Sequence, residues 1–167
     1  MWSEELILKA VVQRVLDASV TVDGIVKGKI DKGLLVYLGV AHNDSEKEAD
    51  WLSEKIANLR IFNDTQGKMN LSLKDLVLNQ NNAACALDVT GVLAISQFTL
   101  LADARKGRRP SWNAAAEPEK AKQLYKYFIN VIKKHDLVCE EGEFQAHMKV
   151  MYTNDGPVTI ILDTDCV

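Results

Sequence analysis

Two short segments carry side chains from which chemistry could be built. The first is Ser96-Gln97-Phe98-Thr99-Leu100, which places three hydrogen-bonding side chains at the end of the apolar run 92–95. Polar groups in a buried strand cost free energy unless they are partnered. Strand alternation sets Ser96 and Phe98 on one face, Gln97 and Thr99 on the other. All of them line one pocket only where the strand bends or ends. Taken alone, the segment reads as a polar strand end giving way to a loop. The second segment is Asn154-Asp155-Gly156-Pro157-Val158-Thr159. Its residue types dominate turns, so spacing alone favours an ordinary hairpin turn. The sharper reading is a tight tip. A cis bond before Pro costs only about 0.5–1 kcal/mol over trans, and such a tip would hold two carbonyls in one orientation.

The chain lacks the other familiar devices. There is no H-E-x-x-H, no P-loop glycine pattern, no G-x-G-x-x-G after a strand and no G-x-S-x-G elbow. His42, His135 and His147 stand isolated, without a Cys, Asp or Glu companion at metal-ligand spacing. Each reads as a surface or packed histidine. Neither a side-chain-driven nucleophilic enzyme nor a metal or cofactor site is visible.

A length of 167 residues suits one domain, 1–167, with residues 1–7 as a leader. A chain of this size buries roughly 70% of its unfolded surface. The 20 Lys and Arg against 23 Asp and Glu leave a formal net charge of -3. Bulk basic charge is therefore missing, and RNA contact needs a local patch. Cys85, Cys139 and Cys166 are odd in number and far apart, which argues against a disulfide framework and for a reducing cytoplasm. The acidic start, Met1-Trp2-Ser3-Glu4-Glu5, does not fit a signal peptide. No apolar run approaches the ~20 residues of a membrane span, so no membrane partner is expected.

The elements that must hold the two segments follow from periodicity. Residues 6–15 and 18–22 read as strands, the latter running into a hairpin turn at Asp23-Gly24. Residues 33–41 form an apolar run with both faces covered. Ser45 and Glu48 have capping-box spacing, and Ala49, Leu52, Ile56 and Leu59 continue at helical intervals, predicting a helix over 45–60. Residues 63–68 are a turn and 79–82 a polar loop, with strands at 83–87 and 89–101. Residues 102–116 have no period and hold Arg105, Lys106, Arg108 and Arg109, four positive charges within five residues. Pro118 opens a second helix with an apolar stripe from Ala121 to Ile132. Strands at 145–153 and 158–162 close the chain around the second segment. The expected class is α+β: a mainly antiparallel, barrel-like sheet with two amphipathic helices.

Ser96–Leu100 and Asn154–Thr159 together resemble the two signature motifs of the D-aminoacyl-tRNA deacylase family, S-Q-F-T-L and N-x-G-P-V-T, in family order. The opening strand Lys9-Ala10-Val11-Val12-Gln13-Arg14-Val15 is similar too. So are the basic loop Arg105-Lys106-Gly107-Arg108-Arg109-Pro110-Ser111 and the stretch Gly142-x-Phe144-x-Ala146-x-Met148. The resemblance covers about residues 8–163. Residues 1–7 lie beyond the usual start, and Gln145 stands where the family often has a small residue. Nothing separates Gly156 from Pro157, whereas a related animal branch places Thr there.

The resemblance implies hydrolysis of the ester joining a D-amino acid to the terminal adenosine of tRNA. Ser96, Gln97, Phe98 and Thr99 would form the pocket floor, and Phe144 with Met148 would pack on the terminal adenine. Gly156-Pro157 would be a cis dipeptide, braced by Arg14 and inserted into the partner's site in a homodimer. Arg105, Lys106, Arg108 and Arg109 would meet tRNA phosphates, with a merely solvated loop as the alternative. Catalysis would lean on the substrate's own 2′-hydroxyl, with Thr99 not a nucleophile. L-amino acids would be rejected, and glycyl-tRNA would leak through. A nucleic-acid binder without turnover and a structural dimer are the competing classes.

Overall fold

A computed structural model describes residues 8–81 and 88–164. The leader 1–7, the strand expected over 83–87, Cys85 and Cys166 lie outside the described residues.

The sheet is organised around one long strand, β1 (Lys9–Val22). Along one edge it pairs antiparallel with the last strand, β8 (Lys149–Asp163). Its other edge is shared, by β3 (Gly33–Gly39) against residues 9–15 and by β2 (Ile25–Ile30) against residues 18–22. The turn between β1 and β2 is the expected one: Asp23 and Gly24 both take positive φ, 49° and 79°. Beyond β3 lie β6 (Gly91–Ser96) and β7 (Val138–Glu141), both parallel to their neighbours. A small separate hairpin joins β4 (Phe62–Asn63) to β5 (Met69–Leu71). The sheet is mixed but mainly antiparallel, and it curls toward closure. A Cβ added at Gly28 of β2 would lie 2.7 Å from the Glu141 carbonyl oxygen of β7, so only glycine lets these two strands meet.

Two apolar layers flank the sheet. On one side Val12, Leu34, Val36, Val92 and Ala94 pack against α1 (Glu46–Asn58) and α3 (Pro118–Lys134), which contribute Leu52, Ile56, Leu124, Phe128 and Ile132. On the other side Val15, Ala18, Val20, Ile30, Leu35, Leu93 and Ile95 form a second cluster. The run at β3 is apolar throughout because it feeds both layers. The capping box at α1 is formed: Ser45 N–H donates to Glu48 Oε2 at 2.8 Å, and Ser45 Oγ accepts from Lys47 N–H.

Five expectations need correction. A third helix, α2 (Leu73–Asn81), takes in most of the predicted polar loop at 79–82. Its start is set upstream, where Ser72 and Asp75 exchange backbone and side-chain hydrogen bonds (2.8 and 3.2 Å). The strand expected over 89–101 stops at Ser96 and turns into a 3-10 turn, Phe98–Leu101. The strands expected over 6–15 and 18–22 run together without a break over Lys9–Val22 as β1, and no strand was expected where β7 lies, around Glu140 and Glu141. The two closing strands and their hairpin turn are one continuous strand, β8, which never reverses.

Candidate active site

The end of β6 builds the floor of a cavity of about 820 Å³. Gln97 N–H donates to Leu38 O at 2.7 Å, which holds the first residue beyond β6 against β3. The chain then tightens, with Leu100 N–H donating to Gln97 O and Ala102 N–H to Thr99 O. This early strand ending defeats the alternation rule. Ser96, Gln97 and Phe98 all line the same cavity, and they share it with Phe144 and Met148. Thr99 is exposed and outside the lining, and its hydroxyl is bonded by the Gln97 side-chain amide.

The opposite wall is the stretch after β7. Gly142 is buried, and its N–H donates to Ala94 O at 3.1 Å. A Cβ there would lie 2.5 Å from the Met148 sulfur, so the thioether seats itself in the space glycine leaves. Phe144 rests on Tyr125 of α3, ring centroids 6.1 Å apart. Tyr125 OH donates to Ala94 O at 2.8 Å, and burial pushes its pKa well above the ordinary phenol value, so it stays a donor. Gln145 takes φ 64° and, with His147, edges the cavity. Tyr125 and His147 were not singled out as site residues by sequence reasoning. The apolar stripe of α3 was the available signal for Tyr125; nothing local marked His147.

A further wall, Ala115 and Ala116, is fastened to the turn after β3. Ala41 bridges Ala115, and His42 N–H donates to Ala114 O at 3.0 Å. That turn rests on Asp44, whose buried carboxylate accepts from Leu8 N–H (2.7 Å) and Ala41 N–H (2.6 Å). Burial raises its pKa to about 6, against the two N–H donors and Lys120, which pull it down. Cys139 is also buried, and burial pushes its thiol up to about 12, which leaves it unreactive.

Arg14, Gly156 and Pro157 are brought together, but away from this cavity. Asn154 faces Val15 and Thr159 faces Gln13, so five residue steps on β8 answer two on β1. The surplus bulges out with Gly156 and Pro157 exposed at its tip, the bond between them cis. Its base is tied by Asn154, whose amide donates to both Arg14 O and Val158 O at 3.0 Å. Arg14 lies buried beneath. Its Nη1 donates to Ile61 O at 2.6 Å and its Nε stands 2.9 Å from Asp155 Oδ2. A Cβ at Gly156, where φ is 117°, would lie 2.9 Å from Arg14 Nη2. None of the three residues lines the cavity of its own chain.

The basic loop is pinched shut by paired backbone hydrogen bonds between Asp103 and Ser111 (2.8 and 3.0 Å). Arg105, Lys106, Arg108 and Arg109 are all exposed. The Arg105 guanidinium folds back on Asp103 at 2.9 Å and holds that carboxyl down at about 2. Among the described residues no cluster of His, Cys, Asp or Glu could hold a metal ion, and no helix is long and apolar enough to cross a membrane.

The fold is thus a curled α+β sheet with a cavity at the end of β6 and a braced bulge on β8. The chain belongs to the D-Tyr-tRNA(Tyr) deacylase family, whose model matches residues 11–163. It is 55% identical over 158 residues to the D-aminoacyl-tRNA deacylase of Koribacter versatilis (strain Ellin345), covering 94% of this chain and 97% of that one. The D-aminoacyl-tRNA deacylase of Thermosipho melanesiensis is 54% identical over 159 residues, with the same coverage. Among solved structures, the c-Myc DNA Unwinding Element Binding Protein aligns with a TM-score of 0.80 at 39% identity, covering 92% of this chain and 97% of that one. A structure described as a probable eukaryotic D-amino acid tRNA deacylase aligns at 0.74 over 93% of this chain and 98% of its own; at 13% identity it speaks for the fold alone.

Proposed function

We propose that this protein hydrolyses the ester joining a D-amino acid to the terminal adenosine of tRNA, releasing both. The observation that carries the reading is the convergence of Ser96, Gln97, Phe98, Phe144 and Met148 on one cavity, in a chain of this family. Phe144 and Met148 offer the apolar and aromatic surface on which a terminal adenine packs. Catalysis is assigned to the substrate's own ribose 2′-hydroxyl, with backbone groups at Phe98 and Thr99 positioning the ester carbonyl. An ester is labile enough for orientation and oxyanion stabilisation to suffice. Thr99 is no nucleophile in this scheme: its hydroxyl is bonded to the Gln97 amide, which cannot take up a proton as a general base would.

Chiral selection is assigned to Gly156-Pro157 from a second copy, with Arg14 as the brace. The tip stands exposed outside its own chain's cavity, and β8 beside it exposes Met151 and Ile161, an apolar strip that another subunit would cover. Backbone carbonyls there would hold the amino group and turn an L side chain into the wall, while a D side chain points outward. Glycine has no side chain to strike, so glycyl-tRNA is cleaved to some degree. Arg105, Lys106, Arg108 and Arg109 meet tRNA phosphates, and the protein acts in the cytoplasm as one domain per protomer.

One assay tests the whole reading. D-tyrosyl-tRNA and L-tyrosyl-tRNA are incubated with the protein and ester loss is followed. Loss of the D form alone is expected; protection of both without cleavage would make the protein a binder, and no effect on either would leave only a structural dimer. Neutralising the four basic residues is expected to weaken tRNA binding and flatten its salt dependence.

A further inference from the structure

Phe98 and Trp112 are the largest side chains of the site region that the core does not use. They are 57% and 39% exposed, and neither packs into the apolar clusters of the fold. Instead they touch each other edge to face, ring centroids 5.8 Å apart at 65°. Such a contact leaves at least one broad ring face open to an incoming planar group.

Their place in the fold says which group. Phe98 belongs to the cavity lining, so one end of the pair is the cavity rim. Trp112 follows Ser111, the residue whose bonds to Asp103 close the basic loop, and its carbonyl accepts from Ala115 N–H at 3.0 Å. The pair therefore bridges the cavity to the loop that carries Arg105, Lys106, Arg108 and Arg109. Exposed aromatic faces next to clustered cations are how proteins grip single-stranded nucleic acid: bases stack while phosphates meet the charges. The overall charge of -3 makes this local concentration the more telling.

We propose that Phe98 and Trp112 form a stacking platform for an unpaired nucleobase preceding the terminal adenosine of the RNA 3′ tail. This rests on the reading that the cavity takes that adenosine. Stacking of this kind is tolerant of base identity, so the platform orders the tail and lowers the concentration of substrate needed, without reading sequence.

The test compares two substrates on full-length Trp112→Ala, Trp112→Leu and Trp112→Phe. D-tyrosyl-tRNA has the preceding nucleotides; the D-tyrosyl ester of adenosine lacks them. Ala and Leu are expected to raise KM for the tRNA about tenfold with little change in kcat, and to leave the adenosine ester within twofold. Phe, which restores a ring face, is expected to recover most of the loss. Equal losses on both substrates would overturn the platform, because Trp112 would then only prop Phe98. So would recovery by Leu, which has bulk but no aromatic face. Titration with the RNA tetranucleotide ACCA needs no turnover and keeps the two proposals apart. Tenfold weaker binding by Trp112→Ala supports the platform even if no ester is cleaved, and equal binding sinks it even if hydrolysis is normal.

Discussion

The end of β6 and the bulge of β8 solve opposite problems with the same backbone. At β6 a strand stops short, and three successive residues, Ser96, Gln97 and Phe98, line one hollow. At β8 a strand continues, and its surplus residues are pushed out of register, so that backbone, not side chain, is presented. The hollow is lined in part by intrinsically flexible side chains, such as the unbranched Met148 thioether over Gly142. The bulge is tied from beneath by Asn154 and Arg14. A receptacle can tolerate adjustment, whereas the bulge, in the proposed role of sorting amino acids by shape, would have to be held still.

That contrast can be broken most forcefully at Arg14. Arg14→Ala strips the bulge of its brace and leaves Asp155 without its ion pair and Ile61 O without its donor. We expect a stability loss of about 3 kcal/mol in urea unfolding, together with loss of D-over-L selectivity. Unchanged selectivity in a folded variant would mean the bulge needs no brace. Next comes the anchor of the cavity wall. The folded pKa of Asp44 is raised to about 6, so between roughly pH 4 and 6 the folded state holds a proton the unfolded chain has released. Its contribution is greatest below pH 4 and is lost as pH rises through 6. The wild type is expected to lose about 2 kcal/mol more than Asp44→Asn between pH 4 and 7; parallel profiles would refute this.

Gly156→Ala adds a methyl at φ 117°, against Arg14 Nη2 and Val158 Cγ2, both 2.9 Å away. A cost of about 1–3 kcal/mol is expected, with turnover of D-tyrosyl-tRNA falling more than its binding. A variant as stable and active as wild type would show that the tip yields. The smallest effect belongs to a residue beside the receptacle but outside its lining. Thr99→Ala is expected to keep turnover within a few-fold, since the hydroxyl lies outside the cavity lining. Complete loss of turnover with binding intact would revive a threonine nucleophile.

Local signals and structure agree where a local interaction decides the conformation. The Ser45–Glu48 box starts α1, Asp23-Gly24 turns the first hairpin, and Pro118 opens α3. Sequence and structure part where a distant partner decides. Asn154, Asp155, Gly156 and Pro157 have every property of a reversing turn, yet β1 pairs with residues on both sides of them and keeps the chain going straight. Val138–Glu141 looks too charged for a strand until β6 supplies a parallel edge. The α2 helix was missed for a different reason, the polar tail of 79–81 outweighing a cap at Ser72 that periodicity alone does not weigh.

The sequence by itself determined which residues could matter: two motifs, a basic loop, an aromatic and a methionine after Gly142. It did so because hydrogen-bonding types, charges and φ preferences belong to single residues. Only the tertiary structure decided which of them meet. Ser96, Gln97, Phe98, Phe144 and Met148 share a cavity, while Arg14, Gly156 and Pro157 stand together elsewhere. That division arises from strand register, and register is set by pairing between β1 and residues some 140 positions away, which no local pattern can encode.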